Sequence, residues 1–300
     1  MILMDGKQVS LKILEGVRNE IERLKGYGVQ SSLALILVGS NEASFQYFSA
    51  TRNSCKKIGI IDHPYQLSEN VSINEILNLI KDLNRDERIS GILIFLPLPK
   101  QLDSRKIVNA VTPEKDVDGL GAISIGRLAA EESTSQLFTT GPDFLLNSAF
   151  LPCTPYGVIM LLDHYGIDPK GKDVVVVGKS LTVGKSLALM MLAREATVMI
   201  CHRVTKDLPS KTKGADILCV AVGKPNFITA DMVKGGAVVI DIGINALSDG
   251  RVVGDIDFES VSKKASYITP VPGGVGPVTI AILLKNTVNS ARRMLGVHIG

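Results

Sequence analysis

At 300 residues the chain is long enough for two ordinary domains and for a core that needs no disulfide or metal staple. With 45% hydrophobic and 21% charged residues it is not a disordered chain, and a net charge of +3 without any Lys/Arg run gives no reason to expect nucleic acid or an acidic membrane as a partner. The longest apolar runs, such as Leu33–Val38, fall short of the roughly 18 residues that a membrane helix needs. The start, Met1 to Lys7, carries an acid and a base where a secretory apolar segment would lie, so a cytoplasmic protein is expected. Cys55, Cys153, Cys201 and Cys219 form no C-x-x-C pair, and His63, His164, His202 and His298 have no i, i+4 spacing. Reduced, buried cysteines and no metal site are the expectation.

Strand and helix patterns alternate along the chain. Leu33–Val38, ending at Gly39, reads as a buried strand. Residues 41–58 have helical spacing with Asn41 as N-cap, and 72–83 repeat Ile and Leu at helical intervals. Gly91–Leu96 reads as a second buried strand, stopped by Pro97 and Pro99. The polar stretch Glu131–Asn147 reads as a linker region. The pattern then restarts with strand Val174–Val177, a glycine loop, helix Lys185–Ala193 and strand Ala196–Cys201. Strands follow at Ile217–Val222 and Ala237–Ile242, and a last helix over 280–294 comes after the turn-rich Pro270–Pro277. Such alternation predicts an α/β protein built of βαβ units, with parallel sheet and helices on both faces.

The segment Val174 to Gly184 is a buried strand entering a loop that opens a helix. Gly178 allows a tight turn, Gly184 allows close helix–strand approach, and free N–H groups at the helix start suit a pyrophosphate. The segment is not G-x-G-x-x-G, so an ordinary strand–helix turn stays open as the alternative. The region about 20 residues on, Cys201 to Lys206, lacks the acid that holds an NAD ribose. Arg203 there, with Lys179 in the loop, would instead attract a 2′-phosphate. Two solvated surface charges are the alternative.

Several long segments occur together and in order: Lys115-Asp-Val-Asp-Gly119, Pro152-Cys-Thr-Pro-Tyr-Gly157, Gly178-Lys-Ser with Val183-Gly184, and Thr269 to Pro277. Leu96 to Pro99, Gly236 to Asn245 and Gly254 to Asp257 accompany them. Together they resemble the bifunctional methylenetetrahydrofolate dehydrogenase/methenyltetrahydrofolate cyclohydrolase family of FolD type. The resemblance implies a two-domain α/β enzyme, usually a homodimer, with an N-terminal catalytic domain, a Rossmann-type dinucleotide-binding domain and an active-site cleft between them. It implies a folate-binding domain over 1–140 and 280–300 and an NAD(P)-binding domain over 141–279. It also implies hydride transfer from 5,10-methylenetetrahydrofolate to NAD(P)+, here NADP rather than NAD, followed in bifunctional members by hydrolysis of the methenyl product. By the same resemblance Tyr47, Asp118, Pro270, Gly273 and Gly274 bind the tetrahydrofolate substrate. Gly178, Lys179, Ser180, Val183, Gly184, Arg203, Gly276 and Thr279 bind the cofactor.

The chain departs from the family pattern where the hydrolytic step is served. Tyr47 matches the family's helix tyrosine, but the lysine expected four residues later is Thr51, and the glutamine before Leu-Pro-Leu-Pro is Phe95. Residues i and i+4 share a helix face, so Tyr47 and Thr51 are expected to face the cleft together. Arg52, Lys56 and Lys57 lie on other faces, and a threonine hydroxyl cannot act as a tuned amine does. Asp116 reads as structural, and the usual asparagine after the Asp-Val-Asp-Gly motif is Ser124. The expectation is a dehydrogenase with cyclohydrolase activity lost or very weak. A bifunctional enzyme with a rearranged hydrolytic site, and a folate- or nucleotide-binding pseudoenzyme, are the alternatives.

Overall fold

The computed structural model describes residues 1–130, 149–247, 249–294 and 296. The linker expected over Glu131–Asn147 and the domain boundary expected at 140/141 lie outside them. The chain divides into two compact units. Among the described residues, one takes in 12–130, 149–153 and 280–296, and the other 1–11 and 154–279.

The chain opens with strand β1 (Ile2–Leu3) and helix α1 (Gly6–Gly26), neither marked in the sequence reading. β1 pairs in parallel with a strand near residue 268, which is why residues 1–11, expected in the folate-binding domain, group with the other unit. Strand β2 (Ser32–Val38) is buried along its whole length and lies between β3 (Ile61–Leu67) and β4 (Gly91–Ile94), all parallel. β3 escaped prediction because it is an edge strand carrying Pro64, a position where proline is tolerated. Helix α2 (Glu42–Ile58) is capped as expected, Asn41 Oδ1 accepting from the Ser44 N–H at 3.0 Å. Helix α3 (Ile73–Arg85) starts with a full capping box between Ser72 and Glu75. Ile76, Ile80 and Leu83 of α3 pack on Ala34, Ile36 and Val38, alternate residues of β2. Each such burial contributes about 1.5–3 kcal/mol. Short helices α4 (Ser104–Val108) and α5 (Ala122–Ala130) follow.

Helix α6 (Cys153–His164) leads into β5 (Asp173–Val177), a π-helical turn (Leu181–Lys185), α7 (Ser186–Ala193) and β6 (Thr197–Cys201). Then come α8 (Leu208–Thr212), β7 (Ile217–Val220), β8 (Val238–Asp241) and the two-stranded ribbon of β9 (Asn245–Ala246) and β10 (Val252–Val253). Helix α9 (Phe258–Val261) and β11 (Tyr267–Ile268) precede α10 (Val275–Met294), which begins five residues earlier than expected. The main sheet of this unit has the order β1-β11-β8-β7-β5-β6 and every pairing in it is parallel. β5 is followed in the chain by its neighbour on one side and then by its neighbour on the other. The strand order therefore reverses between β5 and β7, the kind of place where doubly wound sheets bind ligands. No helix of the described residues is long and apolar enough to cross a membrane.

Candidate active site

In the first unit the chemistry gathers around α2 and the segment Lys115–Gly119. Tyr47 lies half-buried on α2, and Phe95, just past the end of β4, is only 2% exposed. The Phe95 ring stands edge-on to Tyr47 (5.3 Å, 70°) and to Phe48 (5.4 Å, 76°). Thr51 does not present its hydroxyl to an open cleft. The residue is wholly buried, and its Oγ1 donates to the Tyr47 carbonyl at 2.8 Å. A mid-helix threonine without another acceptor satisfies itself on the preceding turn in this way. Arg52 offers no substitute amine, because its Nε is bound to Asp62 on β3 at 2.6 Å and its guanidinium lies 5.5 Å from the Phe48 ring centre. Lys56 and Lys57 are exposed.

The Lys-Asp-Val-Asp-Gly segment is fastened residue by residue. Lys115 is buried and its ammonium caps the end of α3, donating to the Leu83 and Asp86 carbonyls at 2.8 and 2.7 Å. Asp116 accepts from the N–H groups of Leu120 and Gly121 and from the Ser124 hydroxyl, at 3.2, 2.8 and 2.7 Å. Ser124, at the usual asparagine position, thus holds the turn through this hydrogen bond. A side chain at Gly119, which has φ +69°, would run into the backbone of Phe150 and Leu151. Asp118 is left at the end of this frame, with a partly open face.

Burial pushes the Asp118 carboxyl up to about 7, the Asp116 charge adds to this, and the nearby Cys153 thiol offsets part of it. Tyr47 is raised well above the usual phenol value, by burial first and then by the charges of Asp118 and Cys153. Cys153, which the sequence reading treated only as an inert thiol, is a neighbour of both. Its N–H donates to the Asp118 carbonyl at 3.2 Å, its Sγ lies 3.3 Å from the Val117 carbonyl, and Asn286 of α10 donates to that same carbonyl at 2.9 Å. The Pro-Cys-Thr-Pro motif carried the signal, but spacing alone gave it no role.

In the second unit the predicted cofactor residues surround the end of β5. Gly178 has φ +137°, and a Cβ there would collide with the Ala221 carbonyl at the end of β7; a Cβ on Gly184 would fall on the Gly178 carbonyl. Two glycines thus bring strand, loop and helix start together at the sheet's switch point, leaving a cradle with no side chains between. Ser180 is the N-cap: its Oγ accepts from the Val183 N–H at 3.3 Å. Val183 is therefore not one of the free donors expected for a pyrophosphate. Lys179 and Arg203 are exposed, the latter just past β6. Beside it, His202 Nδ1 is buried without a hydrogen-bond partner among the described residues. This group had no role in the sequence reading.

The predicted residues of 270–279 also lie in this unit, apart in the chain's division from Tyr47 and Asp118. Gly273 has φ +112°, and its carbonyl accepts from the Gly6 N–H at 2.9 Å. The Gly274 N–H donates to the Pro270 carbonyl at 2.8 Å. These contacts close the turn onto the start of α1. Gly276 opens the first turn of α10. Thr279 is buried there, its hydroxyl spent on the Val275 carbonyl at 3.2 Å and close to Thr154 Oγ1 at 3.4 Å, which leaves it no free donor for a cofactor.

Comparison with known proteins gives consistent matches over almost the whole chain. Residues 4–118 match the family model described as tetrahydrofolate dehydrogenase/cyclohydrolase, catalytic domain, and residues 152–295 match its NAD(P)-binding domain. The bifunctional protein FolD of Nautilia profundicola is 52% identical over 292 residues, 97% of this chain and 98% of that protein. The crystal structure of the bifunctional FolD dehydrogenase/cyclohydrolase of Campylobacter jejuni is 48% identical with a TM-score of 0.88, covering 97% of this chain and 99% of that one. The Trypanosoma brucei dehydrogenase-cyclohydrolase, solved with NADP cofactor and an inhibitor, is 31% identical with a TM-score of 0.90, covering 99% of each chain.

Proposed function

The chain belongs to the tetrahydrofolate dehydrogenase/cyclohydrolase family, and we propose that within it this protein is an NADP-dependent 5,10-methylenetetrahydrofolate dehydrogenase that releases the methenyl product largely unhydrolysed. The observation that carries this reading is the edge-to-face contact of Phe95 with Tyr47 and Phe48 beside a Thr51 whose hydroxyl is already bonded. Hydrolysis of a methenyl bridge needs a placed acid/base, typically a gain of about 10²–10⁴-fold. Neither Thr51 nor Phe95 supplies a titratable group.

Hydride transfer asks less of side chains. Donor and acceptor carbons must be held in line, and no protein base is required. Bound NADP+ supplies the hydride acceptor. The side-chain-free cradle at Gly178 and Gly184 fits a dinucleotide, and Lys179 and Arg203 fit a 2′-phosphate. On the folate side, the Asp118 carboxyl with its value near 7 accepts from pterin N–H groups when charged and donates when protonated. The Tyr47 phenol, held neutral at physiological pH, orders the pterin beside it. A homodimer, as the family resemblance implies, belongs to the same proposal.

A second reading, a bifunctional enzyme whose water chemistry uses other groups, is favoured by the relatives, which are described as bifunctional FolD proteins. Absorbance decides between them. With protein, methylenetetrahydrofolate and NADP+, accumulation of the methenyl chromophore supports the first reading. Its rapid, protein-dependent decay establishes the second.

A further inference from the structure

Two buried aspartates in the six-stranded-sheet unit have no part in the chemistry above. Asp255 is completely buried and accepts four hydrogen bonds. Three come from successive backbone N–H groups, Val222 and Gly223 to Oδ2 at 2.6 and 2.9 Å and Lys224 to Oδ1 at 2.8 Å. The fourth comes from Asn245 Nδ2 to Oδ1 at 2.9 Å. Asp241, 4% exposed at the end of β8, accepts from the N–H groups of Gly243, Asp255 and Ile256 at 3.1, 3.0 and 3.0 Å.

The two carboxylates are fitted to each other's backbones through glycines. A Cβ on Gly243 would fall on the Asp255 carboxylate, and one on Gly254 would fall on that of Asp241. The pattern Asp241-Ile-Gly243 with Gly254-Asp255 is thus one reciprocal clasp. No cation pairs with either carboxylate in the hydrogen bonds above. Backbone N–H dipoles are what faces both carboxyls, which requires the donors to be held in fixed positions. Burial, with the Asp255 charge adding to it, still pushes the Asp241 carboxyl up to about 7 against the pull of its three donors.

What the clasp holds is the loop that leaves β7. Ala221, immediately before it, is the residue whose carbonyl fits against Gly178 at the switch point. Three successive N–H groups turned inward onto one carboxylate fix the peptide planes of 222–224 and so fix which edge the loop presents on the far side. The same loop is laced further by the Ile228 N–H to the Asp255 carbonyl at 3.0 Å and the Asn226 N–H to the Gly254 carbonyl at 3.3 Å. We propose that Asp255, itself seated by Asp241, is a positioning residue that sets the 222–224 loop as the β7 lip of the dinucleotide crevice. The inference rests on the reading that this unit binds NADP+.

The test uses the whole enzyme, with three readouts: NADP+ affinity by calorimetry, the KM for methylenetetrahydrofolate, and hydrogen exchange at the 222–224 amides. Asp255→Asn replaces one acceptor by a donor facing N–H groups. It should raise the NADP+ Kd about tenfold or more, the equivalent of one hydrogen bond to a charged group. Protection at 222–224 should be lost and the folate KM should change by less than about twofold. If that variant does not fold, Asn245→Ala, which deletes a single donor to the same carboxylate, should show the same pattern at about two- to threefold. Lost protection with unchanged NADP+ affinity, or unchanged protection in a folded variant, overturns the inference. A wild-type enzyme that binds no NADP+ overturns instead the reading on which it rests.

Discussion

Installing the family's hydrolytic residues should fail one at a time and succeed only as a pair. Thr51 is completely buried, and the hydrogen bond its side chain makes is to the Tyr47 carbonyl. Thr51→Lys therefore places an ammonium at a wholly buried position in place of a hydroxyl that is already bonded. An uncompensated buried charge costs about 3–5 kcal/mol, so the urea midpoint should fall steeply and little hydrolysis should appear. Phe95→Gln removes two edge-to-face contacts worth about 0.5–1.5 kcal/mol each, besides the burial of the ring, and brings no proton carrier. In Thr51→Lys with Phe95→Gln the amide faces the ammonium and the removed ring leaves room for water. The two changes should then couple favourably by about 0.5–3 kcal/mol in a double-mutant cycle. Methenyl decay should rise by about 10²–10⁴-fold over the wild type, the usual gain from a placed acid/base. The assay is loss of the methenyl chromophore in a buffer that does not itself speed hydrolysis. Wild-type protein that already clears the chromophore quickly would refute the reasoning. So would Thr51→Lys alone restoring decay at no cost in stability, since the buried position would then accept a charge freely.

Arg203→Ala should weaken NADP+ by about 1.5–3 kcal/mol and leave NAD+ nearly unchanged; equal losses for both cofactors would remove the 2′-phosphate assignment. Asp118→Ala should strongly impair dehydrogenase turnover while NADP+ binding persists, and normal steady-state kinetics in a folded variant would take Asp118 out of the site. Because the native Asp118 value is raised, the folded protein holds a proton that the unfolded chain releases, so this group's contribution is present below about pH 4 and lost as pH rises towards about 7. Asp118→Asn should accordingly lose less stability than the wild type between pH 4 and 7, measured as paired urea midpoints. Gly184→Ala, whose methyl would fall on the Gly178 carbonyl, should cost about 1–3 kcal/mol and reduce NADP+ affinity, read by urea and calorimetry.

Local rules carried the elements whose signal is local. The unbroken apolar run of β2 marks a strand covered on both faces, and Asn41 marks a helix start because its side chain caps within three residues. The start of α3 was legible from its Ile and Leu spacing, and its Ser72–Glu75 capping box is shown by the structure. The glycines at 178 and 184 were legible for the same reason: a backbone that must approach closely tolerates no Cβ. Edge strand β3 and the two-residue strands β1 and β11 were not legible, since each forms only because a partner from a distant stretch supplies its hydrogen bonds.

The identities of residues 51 and 95 are facts of the sequence, and from them alone follows the absence of an amine and an amide where the family has them. What those positions do instead was decided by tertiary structure. The hydroxyl of Thr51 turns back to Tyr47 because it is enclosed, and Phe95 meets Tyr47 and Phe48 because β4 carries its ring onto α2. The same holds for the charges. Asp116, Asp118, Asp241 and Asp255 are four similar letters, yet one ties a turn, one keeps a partly open face, and two clasp each other's backbones. A carboxylate's role is set by the donors and the burial around it, and for Asp255 three of those donors come from 31 to 33 residues away in the chain.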